Sequence, residues 1–154
     1  MEETKINSIL KALNYPIQEG KDVIRILKAY KDDKDQFIDY AGKRNYLTPN
    51  VDVWYHTTGA YDATKGNLFR GAVALGAGAM KEIMDLPVYI KNKGVKTAFK
   101  EGIKDFMNDY RGVRESLRNP NIPAEENNWL KNLQTPTMHD IMPEYRNKYG
   151  KKGF

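Results

Sequence analysis

Residues 67–86 have the sequence NLFRGAVALGAGAMKEIMDL, and this stretch indicates the fold class of the chain. Its spacing predicts a helix with apolar residues on two sides, Leu68, Ala72, Leu75, Ala79 and Leu86 on one and Phe69, Val73, Met80 and Met84 on the other. A helix of this kind is expected to be buried all round. It is expected to stop before Pro87, because the residue that precedes a proline avoids the helical conformation.

Three glycines interrupt this predicted helix, at Gly71, Gly76 and Gly78. Glycine lowers the stability of a helix by about 1 kcal/mol relative to alanine. Close crossing by neighbouring helices would explain them, and we expect it in particular at Gly76 and Gly78. The helical spacing places Glu82 on the same side as Leu75, so its carboxylate is expected to point into the core or into a cleft in it.

Apolar residues spaced three and four apart predict further helices on both sides of this stretch, at 4–14, 21–42, 51–65, 97–117 and 124–133. Tyr15-Pro16 is expected to separate the first two. No alternating pattern of a strand is present. The predicted fold class is all-α: residues 1–118 form a compact bundle of about five helices, and residues 119–154 form an extended, proline-containing tail with one short helix.

The composition excludes several kinds of site. The chain has 154 residues, no cysteine and a net charge of +5, so disulfides and thiolate metal sites are ruled out. The longest uncharged run, 71–80, is shorter than the roughly 20 apolar residues that span a bilayer, and no membrane span is predicted. The mild basic excess suits an acidic partner without identifying nucleic acid.

Four polar residues on predicted helices are candidates for a functional site: His56, Glu82, Asp85 and Asp105. As catalytic residues they would act as an acid/base set or surround a metal-bound water. His56, Glu82 and Asp85 are the candidate ligands of a divalent metal, the one cofactor considered. The structural alternative is that Glu82 pairs with an Arg or Lys such as Arg111. His56 would then bond to a carboxylate or carbonyl within the core, most simply to Glu82 or Asp85.

The pattern of the predicted helix 97–117 argues against such a site. Its apolar stripe includes Phe99, Phe106 and Tyr110, and its polar residues lie opposite, at Asp105, Asn108, Asp109 and Gly112. The polar side is expected to be solvated. It would join a site only if another segment covered it.

Two basic segments are candidate contact surfaces. Residues 91–104 contain five lysines and are predicted to form an exposed loop, for which phosphate binding is an alternative to simple solvation. The tail combines basic residues with apolar anchors and is expected to lie along a neighbouring subunit of a large assembly rather than on its own core. Its candidate partner-binding residues are Trp129, Met138, Tyr145, Tyr149 and Phe154.

Three segments in order resemble a domain of known proteins: 54–66 with His56, then 78–85 with the motif Gly-x-x-Lys-Glu-x-x-Asp, then 105–112 with the motif Asp-x-x-Asn. The pattern is similar to a small helical domain of bacteriophage proteins, to domains of toxin-like proteins and to YfiM-type periplasmic lipoproteins. The chain lacks the signal segment and lipidated cysteine of the lipoproteins. The resemblance covers about sixty residues and carries no established activity.

These observations support three hypotheses. The first is an accessory structural protein of a phage virion or tail, located in the virion or the host cytoplasm and acting through protein–protein contacts. The second is a metal-assisted or acid/base hydrolase that uses His56, Glu82, Asp85 and Asp105. The third is nucleic-acid binding through residues 91–104 and the basic tail.

Overall fold

The structure, a computed structural model, describes residues 2–43, 50–134 and 136–150, and within them the side chains of all but 2–6, 9, 13 and 137. The regular elements in these ranges are all helical: α1 (Glu2–Gly42), α2 (Val51–Thr64), α3 (Leu68–Lys93), α4 (Val95–Arg118), a short 3₁₀ helix (Ala124–Glu126), α5 (Asn128–Leu133) and α6 (Pro136–Tyr149). The predicted all-α bundle is confirmed. None of the described helices is long and apolar enough to cross a membrane.

Helix α2 is the central element of the bundle. It packs against α1, α3, α4 and α5, and ten of its fourteen residues are buried. Lys65 ends it in the left-handed conformation, with its N–H bonded to the carbonyl of Tyr61. Asn67 then starts α3, because its side chain accepts a hydrogen bond from the N–H of Arg70. The short 65–67 connection therefore holds α2 and α3 side by side.

Three prolines lie inside helices: Pro16 in α1, Pro87 in α3 and Pro143 in α6. The helix ends predicted before Pro16 and Pro87 are therefore wrong. A proline removes one backbone hydrogen bond from a helix, but the helix continues where the freed carbonyl meets solvent. Pro87 and the residue one turn earlier, Ile83, are both exposed. The predicted loop at 91–104 is instead the end of α3 and the start of α4, joined at Gly94.

The predicted extended tail is also wrong, because residues 136–149 form α6 and pack on α1. Met138 and Tyr145 are both 0% exposed in the core of their own chain. The hydroxyl of Tyr145 donates to Asp33 Oδ1 at 2.7 Å. Amphipathic spacing of Met138, Ile141 and Tyr145 builds a buried face in spite of Pro143, so these side chains are not free for a partner.

The other predicted partner-binding residues are in different surroundings. Trp129 is half-buried and Tyr149 is 38% exposed. Tyr149 still contacts its own chain, with its ring 5.1 Å from the ring of Tyr145. Phe154 lies outside the described residues, as do the lysines at 151 and 152.

Helix α4 has the opposite orientation from the predicted one. Its polar residues Asp105, Asn108, Asp109 and Gly112 are buried, whereas Phe99 is 50% and Ile103 63% exposed. Helices α2 and α3 cover the polar side. A Cβ at Gly112 would collide with the backbone carbonyl of Thr57, and one at Gly78 would collide with the Asp109 carboxylate, so glycine permits both approaches.

Helix α3 is buried on one side only, which corrects the prediction that it is buried all round. Leu68, Met80, Ile83 and Met84 are exposed. The prediction of a close crossing holds at Gly78 and fails at Gly76, where a Cβ would meet nothing within 4 Å. Helices α2 and α4 lie on one side of α3, and Gly76 faces away from them.

These glycines give a matched test of the packing. Gly112→Ala should lower the free energy of unfolding by about 1–3 kcal/mol, because the added methyl overpacks against a backbone carbonyl that has no room to move. Gly76→Ala should be neutral or stabilising by up to about 1 kcal/mol, since alanine favours the helix and the site is open. Urea unfolding followed by far-ultraviolet circular dichroism measures both. Equal effects of the two substitutions would contradict the described packing.

A second test concerns α6. Tyr145→Ala should lower the free energy of unfolding by about 3–5 kcal/mol, because it empties a buried site and leaves Asp33 with fewer donors. Tyr149→Ala should have a smaller effect, about 1 kcal/mol, since that ring is partly exposed and contributes mainly edge contacts. Thermal melts of the two variants give the comparison. A Tyr145→Ala protein as stable as the parent would show that α6 does not pack on α1.

Candidate functional site

The candidate site is centred on His56, in the middle of α2. Its Nδ1 lies 2.9 Å from Asp109 Oδ1 on α4. A carboxylate accepts hydrogen bonds and does not donate them when ionised, so this contact places the proton on Nδ1. The other ring nitrogen, Nε2, is then left with its lone pair when the imidazole is neutral.

Two further carboxylates face Nε2. Asp52 Oδ1 lies 3.6 Å from it and Asp105 Oδ2 lies 3.9 Å from it, too far for hydrogen bonds. One donor atom from each of Asp52, His56 and Asp105 falls within 4.8 Å of the others. Around tetrahedral zinc, with bonds of about 2.0–2.1 Å, neighbouring donor atoms are about 3.3 Å apart. The two separations from Nε2 exceed this spacing by a few tenths of an ångström, and the separation between the two carboxylates is at most 4.8 Å, so modest side-chain movements would let the three share one cation.

Asp52 has a cation partner already, the ammonium of Lys34 on α1, at 2.7 Å. Burial alone would raise the pKa of Asp52, but the charges of Lys34 and His56 outweigh it and lower the pKa to about 2. Asp52 is therefore ionised at neutral pH. Because its side chain is 36% exposed, it forms the edge of the site that faces solvent.

Asp105 is in the opposite position. Burial raises its pKa to about 7, the neighbouring carboxylates of Asp52 and Glu82 add to the rise, and His56 only partly offsets it. Asp105 therefore holds a proton on the Asp52–Asp105 pair where an isolated aspartate would have lost it. The pKa of His56 is also raised: burial lowers it, but the hydrogen bond to Asp109 and the nearby carboxylates outweigh that effect.

Glu82 lies beside this cluster on α3. It is 9% exposed, and its Oε2 has no hydrogen-bond partner in the part of the chain that the structure describes. Its other oxygen, Oε1, is 3.3 Å from the ammonium of Lys81. Gly102 of α4 lies next to this carboxylate, and a Cβ there would be in ordinary van der Waals contact with Oε2, at 3.6 Å.

A cavity of about 240 Å³ opens beside the imidazole, between α1, α2 and α3. His56 and Asp109 form its wall at one end. Most of its lining is apolar, and four lysines also line it: Lys28, Lys31, Lys34 and Lys81. Lys31, Lys34 and Lys81 already pair with carboxylates, so the net positive charge of the lining is small. The cavity therefore suits a small, largely apolar ligand with at most one negative charge.

Two of the predicted site residues, His56 and Asp105, are brought together. Glu82 lies close enough to raise the pKa of Asp105, but His56 hydrogen-bonds to Asp109 rather than to Glu82, so the predicted direct bond is wrong. Asp85 pairs with Lys81 at 3.1 Å and its side chain is 41% exposed. It is not among the carboxylates that contact His56. Glu82 pairs with a basic residue, as the structural alternative predicted, and that residue is Lys81 rather than Arg111.

Sequence reasoning missed three residues of the site: Asp52, Asp109 and Lys34. A signal was present for two of them. Asp52 precedes His56 by four residues and Asp105 precedes Asp109 by four, which places each pair on one face of its helix. Lys34 comes from α1, and only the packing of α1 on α2 brings it to Asp52.

The chain matches no protein-family model, no curated protein and no solved structure. The resemblance to phage domains therefore remains a prediction.

The pKa of Asp105 gives a prediction for the metal-free protein. A free aspartate has a pKa of about 4, and Asp105 in the folded protein has one of about 7, so the folded state binds more protons between these values. Stability must then fall as the pH rises from about 4 to about 7. His56, with a raised pKa, adds a loss in the same direction above about pH 6.5.

Asp105→Asn should flatten this slope, since an amide does not titrate. The free energy of unfolding in urea, measured with a chelator at several pH values between about 4 and 7, gives the slope. Asp85→Asn is the control and should keep the slope of the parent. Parallel slopes for the parent and Asp105→Asn would exclude a raised pKa at Asp105.

Proposed function

We propose that the protein is a metal-assisted hydrolase whose cation is held by Asp52, His56 and Asp105. One observation carries the proposal: Asp109 binds Nδ1 of His56 and so directs Nε2 toward two carboxylate oxygens. Histidine ligands of metals characteristically donate their other N–H to a carboxylate in this way. Imidazole with carboxylate oxygens suits zinc or manganese.

Two features of the metal-free site support a cation at this place. Burial, together with the nearby carboxylates of Asp52 and Glu82, raises the pKa of Asp105 to about 7, so Asp105 keeps a proton up to about that pH. Glu82 pairs with Lys81 through Oε1, but its buried Oε2 has no donor among the described residues. A buried carboxylate oxygen without a donor is destabilising, and a divalent cation would compensate the charge of the whole group.

The chemistry supplied by such a cation is the activation of water near neutral pH and the polarisation of a carbonyl or phosphoryl oxygen. Glu82, whose charge reaches Asp105, would be the acceptor of the proton that the water loses. Asp109 holds the orientation of His56. Lys34 and the cavity next to it would hold the substrate, whose apolar part fits the lining and whose negative charge the lysines attract.

Calorimetric titration with Mn²⁺ or Zn²⁺ tests the metal site. The parent should bind one ion and release close to two protons per ion below about pH 6.5, because Asp105 and His56 must both lose a proton to bind. Asp105→Asn should abolish binding. Asp109→Asn, which removes the partner of His56 without touching the ion, should weaken binding roughly 10–100-fold.

Asp85→Asn is the matched control, since Asp85 lies on α3 one turn from Glu82 and, among the described residues, pairs with Lys81 rather than with a ligand of the proposed ion. It should bind the ion as the parent does. The same proteins are then assayed for metal-dependent hydrolysis of an aryl ester and an aryl phosphodiester. A folded parent that binds neither ion would overturn the proposal and leave the cluster as a structural link between α2 and α4. An ion bound without turnover of either substrate would retain the site and reject the hydrolase.

The virion hypothesis has lost its main argument, because the tail packs on its own chain. It remains a prediction, together with location in the virion or host cytoplasm. Nucleic-acid binding also remains a prediction. The lysines on which it depends are exposed on α3 and α4, where they alternate with large apolar side chains rather than forming a purely basic patch.

A further inference from the structure

The outer faces of α3 and α4 expose an unusual number of large apolar side chains. On α3 they are Leu68, Phe69, Met80, Ile83, Met84 and Val88, and on α4 they are Val95, Phe99, Ile103, Met107 and Tyr110. The two helices are adjacent and packed along their length. Large exposed apolar surfaces are rare on proteins that function without a partner, and they mark contact sites. We call these outer faces the hairpin face.

The charges around the hairpin face are almost all positive. Its exposed basic residues include Lys91, Lys96, Lys100, Lys104, Arg111, Arg114 and Arg118. Three acidic residues of the same helices, Glu82, Asp105 and Asp109, are buried. Asp85 and Glu101 pair with Lys81 and Lys93, so they neutralise little of the remaining charge.

We propose that the hairpin face binds the surface of an anionic lipid bilayer. The helices would lie in the plane of the interface, with side chains such as Phe99 and Ile103 at the boundary between headgroups and acyl chains. The lysines of α4 would extend to the lipid phosphates. Apolar residues beside lysines on one helix are the combination that anionic interfaces attract.

Charge and shape favour lipid over other occupants. A second copy of the chain would place the basic residues of two hairpin faces against each other, which is repulsive. The face extends along the 26 residues of α3, about 40 Å, and offers two adjacent helix surfaces rather than a pocket for anchor residues. A bilayer adapts to such a surface without requiring a matching shape. This inference is independent of the proposed metal site.

Co-sedimentation with vesicles tests the proposal, using phosphatidylcholine alone and phosphatidylcholine mixed with phosphatidylglycerol. The parent should bind the anionic vesicles, and binding should weaken with salt. Replacing Lys96, Lys100 and Lys104 together by glutamine should reduce the partition coefficient on the order of 100-fold. The same number of exposed lysines replaced on α1, at Lys11, Lys21 and Lys28, is the control and should have a much smaller effect.

The absence of cysteine allows a second measurement that reports on insertion directly. Ile103→Cys and Ile38→Cys place a single thiol at exposed apolar positions on α4 and α1. With an environment-sensitive fluorophore attached, only the α4 label should brighten when anionic vesicles are added. Because both positions are exposed, the variants should melt like the parent.

Three results would overturn the proposal. The folded parent fails to bind anionic vesicles at low salt, the two lysine-triple variants bind equally well, or the α1 label responds as strongly as the α4 label. Self-association of the parent that Ile103→Ser abolishes would assign the hairpin face to a second copy instead. Vesicle binding that an acidic protein fails to displace, together with a response confined to α4, supports the lipid surface.

Discussion

The burial of the polar side of α4 is the constraint on which the rest of this structure depends. Asp109 reaches His56 on α2, and the contact requires α4 to turn its carboxylates inward. Glycines make that approach sterically feasible: Gly112 admits a backbone carbonyl of α2, and Gly78 admits the Asp109 carboxylate beside α3. An aspartate in this interior cannot be fully solvated, so the pKa of Asp105 rises to about 7. The same rotation leaves Phe99 and Ile103 outside. The chemistry of the site and the apolar character of the outer surface thus both follow from the orientation of α4 about its axis.

The local pattern predicted the helices well where packing and propensity agree. The ranges of α2 and α4 were predicted to within about two residues at each end, and the all-α class followed from the spacing alone. The prolines at 16, 87 and 143 misled the prediction, because the preference of a residue before proline is local and tertiary contacts can outweigh it. The tail was misjudged for the same reason. Met138 and Tyr145 were recognised as anchors, but the surface that receives them, on α1, is not visible in the sequence of the tail itself.

The candidate site was predicted in part, and its errors have a physical cause. His56 and Asp105 were identified from their residue types and positions, but the rotation of α4 about its axis was inferred from the rule that apolar stripes face inward. In α4 the polar side faces inward instead. The prediction therefore assigned Asp109 to solvent, although the structure makes it the hydrogen-bond partner of His56. Spacing within one helix is fixed by the sequence, and it could have revealed the Asp52–His56 pair. The packing of one helix face against another depends on contacts such as that of Gly112 with Thr57. Such contacts between distant residues cannot be recognised from a single sequence.

The reversed orientation of α4 also has an energetic consequence. A helix that buries carboxylates and exposes large apolar residues gives up hydrophobic stabilisation on one side and carries an unfavourable electrostatic term on the other. The proton held on the Asp52–Asp105 pair and the unpaired Glu82 oxygen are local signs of that electrostatic term. A cation at Asp52, His56 and Asp105 would reduce the electrostatic cost of the buried carboxylates. An anionic lipid surface bound to α3 and α4 would cover their exposed apolar side chains and so recover hydrophobic stabilisation. Because anything that binds the folded state alone stabilises it, the two ligands would each favour the same rotation of α4. On the two proposals, the cation would complete the inner side of α4 and the lipid surface its outer side.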